Sequence, residues 1–204
     1  MLYELATLSL RLWSVSKALP GIETYTTKPG TPGRLLGCWE TEIGEIVTRL
    51  LVLRGFDSAE ELAEERRRVL GSSDPFGIGE HLTGIQLETY EPFPFLPDVT
   101  PGQYGSVYEF RTYQLAIGGL APTIAGWQEA VPERTAMYPL TVAMYGLDGA
   151  PRITHIWPFP DLNARAAIRK ESYDRGIWPP RNGPENIQRA TSTIALPTAI
   201  SPLH

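Results

Sequence analysis

One unit occurs twice in this chain, and that duplication limits what it can fold into more than any other feature. Arg152-Ile-Thr-His-Ile-Trp-Pro-Phe159 reads as a strand that turns into a helix at Asp161, and Arg49-Leu-Leu-Val-Leu-Arg-Gly-Phe56 before Ser58 has the same build. Upstream of each, an alternating strand opens on Tyr-Glu: Tyr3-Glu4 in the first copy, Tyr108-Glu109 in the second. A helical pattern holding Ala-x-Pro follows each of these strands, at Ala18-Leu-Pro20 and Ala130-Val-Pro132.

Local patterns extend the match. In the first copy, Leu2–Leu10, Leu35–Glu42, Ile46–Leu53 and Leu82–Tyr90 carry strand character, with a hairpin connection at Ile43-Gly-Glu45. The helix after the first strand bends or ends at Pro20, because proline lacks the amide donor a helix needs. Ser58 and Glu61 predict a capping box that opens a second helix, stopped at Gly71. The second copy repeats the order with strands over Val107–Gln114, Leu140–Gly146, Arg152–Phe159 and Ile187–Leu196. Its helices run through Ile124–Val131 and from Leu162 to Arg175, the latter capped by Asp161.

Each copy therefore reads β-α-β-β-α-β, the ferredoxin-like arrangement. We expect an α+β fold with modules at residues 1–91 and 107–204 and a Pro-rich linker at 92–106, whose Phe93 and Phe95 keep it against the surface. The last residues read as a loose tail. A ferredoxin-like sheet carries helices on one face only, so the other face needs cover. The second copy supplies it, which predicts a pseudo-dimeric α+β barrel with the two sheets packed together.

Composition removes several function classes. A net charge of -5 and a pI near 5.3 argue against nucleic acid as partner, and Arg66-Arg67-Arg68 follows four glutamates on one helix. Cys38 is the only cysteine and sits in a strand, where it reads as a small buried hydrophobe. Nothing resembles a secretory leader or a membrane-inserting segment, which predicts a cytoplasmic protein. No metal-ligand spacing occurs, and Gly118-Gly119 is no dinucleotide fingerprint, so no cofactor is expected.

Alternation then locates candidate chemistry. Glu109, Arg111 and Tyr113 share one face of the second copy's first strand; His155, Trp157 and Phe159 share one face of its third. The opposite faces carry Tyr108, Phe110 and Ile156, which would suit contact with helices. This sends Glu109, Arg111, Tyr113, His155 and Trp157 toward the space between the sheets. In the first copy, Arg54 would simply neutralise Glu4. Three readings stand for the polar group: a structural ion-pair network, a small-molecule pocket, or acid–base chemistry at His155.

Several stretches are similar to one known family. Gly37-Cys-Trp-Glu-Thr-Glu-Ile-Gly44, Phe56-Asp-Ser58, Tyr108-Glu-Phe-Arg-Thr-Tyr113 and His155-Ile-Trp-Pro-Phe-Pro-Asp-Leu-Asn-Ala-Arg165 with Arg169 resemble NIPSNAP proteins. The copies keep different parts of that signature: Val52 and Arg54 stand where the second copy has His155 and Trp157. The resemblance implies a dimeric α+β barrel, a superfamily that includes cofactor-free monooxygenases, isomerases and haem-binding members. It supplies no reaction. The resulting expectation is a small-molecule pocket between the sheets, lined by Glu109, Arg111, Tyr113 and Trp157, with His155 as the proton-transfer residue of an enzymatic alternative. A protein-interaction scaffold is the third option, and the sequence leaves association into a homo-oligomer open.

Overall fold

The strand patterns pair as the duplication requires. In the computed structural model, which describes residues 1–204, β1 (Leu2–Leu10), β2 (Arg34–Ile43), β3 (Arg49–Phe56) and β4 (Leu82–Pro92) form an antiparallel sheet ordered β4-β1-β3-β2. Two helices, α1 (Val15–Thr27) and α2 (Ala59–Gly71), belong to this half. The second half repeats it with β5 (Val107–Leu115), β6 (Val142–Gly146), β7 (Arg152–Phe159) and β8 (Ile187–Pro197), ordered β6-β7-β5-β8, and with α3 (Leu120–Met137) and α4 (Leu162–Asp174).

The sheets join as well as face each other. Edge strand β2 pairs with β8, and β4 pairs with β6, both antiparallel, so all eight strands close into one barrel. Closure leaves no strand with an open row of backbone donors and acceptors.

Inside the barrel, one side of every strand must be apolar and large enough to fill the space. Tyr3, Leu5, Leu51, Leu53, Tyr108 and Phe110 meet there, with Trp39 wedged 5.3 Å from the Tyr108 ring and 5.1 Å from that of Phe110. Burying each such side chain stabilises the fold by roughly 1.5–3 kcal/mol. Outside the barrel, α1 and α2 cover a second cluster that includes Ala6, Leu8, Ile22 and Val69. A third cluster, with Trp127, Val131, Trp157 and Trp178, lies between the second half's sheet and its helices.

Local signals act largely as read. Ser58 Oγ accepts the Glu61 amide at 3.1 Å, while Glu61 reaches one residue further back than a capping box would and accepts the Asp57 amide at 2.9 Å. Asp161 caps α4 by accepting the Ala164 amide at 2.7 Å. Pro20 does not end α1, which continues to Thr27; buried Ala18 and Ile22 hold the helix on the sheet despite the missing donor. The β2–β3 connection is longer than expected, because Ile46 and Val47 are exposed loop residues rather than strand. Cys38 is fully buried, and burial pushes its thiol up to about 12.

The linker and the end of the chain close one mouth of the barrel. Phe93 is buried in the third cluster, and its amide donates to Ala143 O at 2.9 Å. The tail is not loose. Leu203 is fully buried in the barrel core, Ser201 Oγ accepts the Cys38 amide at 3.0 Å, and the His204 amide donates to Gly102 O at 2.9 Å. A short polar tail can be held firmly when its backbone completes another segment's hydrogen bonds, and composition alone does not reveal this.

Candidate functional site

The five candidate residues converge, but on the other side of the sheet from the one expected. Strands β5 and β7 pair with Glu109 opposite Trp157 and Arg111 opposite His155, so the shared face is as alternation predicts. That face turns toward α3 and α4. The barrel interior instead takes Tyr108, Phe110 and Ile156. The space between the sheets is apolar at one end and opens at the other into a cavity of about 190 Å³, lined among others by Thr7, Arg49, Gln86, Glu88 and Thr191. None of Glu109, Arg111, Tyr113, His155 and Trp157 lines it.

The physical reason lies in α4. Arg165, Arg169 and Ser172 recur at i, i+4 and i+7 and form its inward stripe. A helix that turns arginines to a sheet needs a carboxylate beneath it, and Glu109 is that carboxylate. Arg165 Nη2 donates to Glu109 Oε1 at 2.5 Å, Arg111 Nη1 at 2.9 Å and the Ser192 hydroxyl at 2.8 Å, while Arg169 Nη1 lies 3.6 Å from Oε2. Burial would raise the Glu109 carboxyl, but Arg165, Arg169, Ser192 and Arg111 outweigh it and hold it at about 2.

His155 sits above this network, fully enclosed. Its ring lies 4.7 Å from that of Trp127 and 5.1 Å from that of Tyr113. Burial, reinforced by the Arg111 charge, lowers the imidazole to about 3, so it is neutral. Trp157 Nε1–H donates to His155 Nδ1 at 2.8 Å. That bond places the lone pair on Nδ1 and the proton on Nε2. Nε2–H is then a buried donor, and it has no acceptor.

Three further residues border this network. Arg134, from α3, stacks its guanidinium 4.3 Å from the Trp157 ring centre, and its Nη1 is also buried without a partner. Burial and then the Arg169 charge lower it to about 10, which leaves it cationic at neutral pH. The spacing Trp127, Val131, Arg134 marks the inward stripe of α3 and could have revealed it. Trp127 lies on the same stripe, and Trp178, in the loop after α4, completes the enclosure. Glu109, Arg134, His155, Arg169, Ser172 and Trp178 border a cavity of about 10 Å³. Beyond Trp178 lies a second cavity, of about 60 Å³, walled mainly by Tyr113, Trp127, Tyr173, Pro179 and Pro180.

Charge distinguishes the two copies. In the first, Arg54, Arg66 and Arg68 are paired with Glu4 and Glu65, and Asp148 and Arg152 from the second copy, together with Glu88, complete the network at four against four. Arg54 Nη2 lies 2.5 Å from Glu4, and the buried Phe76 ring packs on the guanidinium at 4.9 Å. In the second, Arg111, Arg134, Arg165 and Arg169 surround Glu109 alone, a surplus of three positive charges. No group of His, Cys, Asp and Glu that could hold a metal ion is present.

The NIPSNAP profile matches residues 3–95 and again 108–202, once for each copy. The chain belongs to the NIPSNAP family. Comparison with curated proteins gives no match. Among solved structures, this NIPSNAP protein is similar to a monooxygenase-like protein from Lactobacillus acidophilus (TM-score 0.67, 10% identity, covering 96% of this chain and 93% of that one). It is also similar to an anthrone oxidase-like protein (TM-score 0.65, 14% identity, 97% and 91% covered) and to a variant of chlorite dismutase from Candidatus Nitrospira defluvii (TM-score 0.61, 10% identity, 98% and 91% covered). At these identities the likeness is one of fold. That shared fold is the closed eight-stranded α+β barrel.

Proposed function

We propose that the second module of this NIPSNAP protein binds a small molecule bearing a carboxylate or another oxyanion, between its sheet and its helices. The observation that carries this reading is that two buried donors, Arg134 Nη1 and His155 Nε2–H, border one cavity without an acceptor. A buried unmet donor is costly, on the order of 1–3 kcal/mol and more when charged. An anion offers lone pairs to both donors and offsets the surplus charge around Glu109.

The same geometry makes His155 a donor that orients the ligand rather than a general base. Its one lone pair is taken by Trp157, and its surroundings oppose a proton. Arg111, through Glu109 and Tyr113, positions the network, and Trp157 fixes the imidazole tautomer.

Thermal unfolding at constant ionic strength tests the proposal. Acetate replacing chloride should raise Tm by an amount that grows with concentration, as ligation of the native state requires. Arg134→Met should abolish that increment. An acetate effect equal in both proteins, or absent in the wild type, would refute the reading.

A further inference from the structure

The two cavities beside α4 have a single lining residue in common. Trp178 borders both: the inner cavity of about 10 Å³, polar and cationic, and the outer one of about 60 Å³, aromatic and Pro-lined. The inner space alone holds about one water molecule. A ligand larger than water must therefore displace one of the lining side chains, and Trp178 is the one that also borders the outer cavity.

The indole occupies a seat made for an aromatic ring. It stands edge-to-face on Trp127, with centroids 4.8 Å apart at 84°, and on Trp157, 5.9 Å apart at 83°. Such pairs add roughly 0.5–1.5 kcal/mol each beyond burial. The attachment on its other side is slight. Trp178 is held through its backbone, where its amide and that of Ile177 both donate to Ser172 O, at 3.1 and 3.0 Å, and no side-chain hydrogen bond holds the indole.

We infer that Trp178 is an internal plug standing where the ligand's own ring binds, and that the ligand is an aryl carboxylate. Its ring replaces the indole against Trp127 and Trp157, and its carboxylate reaches Arg134, Arg169 and His155. The order of the linings, aromatic outside and cationic inside, demands a molecule with those two ends. This inference rests on the anion-binding reading and adds to it a ring and a gate. Expelling the plug costs the stacking it makes, and the entering ring restores that stacking while its carboxylate adds what the indole lacks.

Calorimetric titration with phenylacetate, its neutral isostere phenylacetamide and ringless acetate tests the inference. The wild type should bind phenylacetate at least about tenfold more tightly than either control, equivalent to about 1.4 kcal/mol. Trp178→Ala should bind it about tenfold more tightly again, because no internal ring competes. Tryptophan emission, excited where phenylacetate does not absorb, should shift red on binding to the wild type as Trp178 moves into water. That readout needs no variant to fold. Phenylacetate no tighter than acetate removes the ring and leaves the anion site standing. Phenylacetamide equal to phenylacetate, or no binding by any of the three, removes both readings. Weaker binding by Trp178→Ala, or binding to the wild type without a red shift, shows that Trp178 is a wall and overturns the plug.

Discussion

His155 carries a distinctive pH signature. The groups that face it are Arg111, Arg134 and Arg169 as cations and Glu109 as the one anion. In the unfolded chain an imidazole titrates near 6.5, whereas in the fold it does so only at about 3. Between those values the unfolded state binds a proton the native state refuses, so stability is full above about 6.5 and falls as pH drops toward 3. Glu109, held at about 2 against an ordinary 4.5, adds a loss only below about pH 4.5. The urea midpoint of the wild type should therefore fall between about pH 7 and about pH 5, at up to about 1.4 kcal/mol per pH unit for one such group. His155→Gln, which keeps an acceptor for Trp157 Nε1–H, should lose clearly less over the same interval. Equal losses would mean that the imidazole is protonated in the fold.

At the level of elements, α4 and the loop behind it wall both cavities. The loop's seat on α3 depends on Gly126: a β-carbon built there would stand 2.0 Å from Arg181 O. Gly126→Ala thus improves local helix propensity by about 1 kcal/mol and pushes the loop off its seat. Acrylamide should quench the emission of that variant more strongly than that of the wild type, through Trp178. Unchanged quenching would show that the loop tolerates the added methyl group.

Much of this was legible from residue patterns, and one error is instructive. Alternation along Val107–Gln114 and Arg152–Phe159 grouped Glu109, Arg111, Tyr113, His155 and Trp157 correctly, because strand periodicity is local. It could not say which face met the helices, since both faces of a barrel sheet are buried. The helices hold that answer: Arg165, Arg169 and Ser172 on α4 make an inward stripe that cannot lie on Phe110 and Ile156. Trp178 was less legible, because its seat depends on contacts between segments far apart in sequence.

Across the whole molecule, stability rests on the shared barrel core and on what closes its end. Leu203 belongs to that core although it lies in the irregular stretch after β8. Leu203→Ala should cost about 2–5 kcal/mol, as for other fully buried leucines. Chemical denaturation would read this as a lower midpoint at unchanged slope. A cost under about 0.5 kcal/mol would mean that the segment only rests on the surface. No helix is long and apolar enough to span a membrane.

Pairing of β2 with β8 and of β4 with β6 gives each half a covalently tethered mate. Two identical chains joined the same way would have to repeat every substitution on both sides of the axis, so any residue useful in one place would have to be tolerated in the other. Tethering lifts that rule. One copy can settle into a charge-balanced network, as around Arg54 with Asp148 and Arg152 across the seam, while its sibling keeps an excess of positive charge around Glu109.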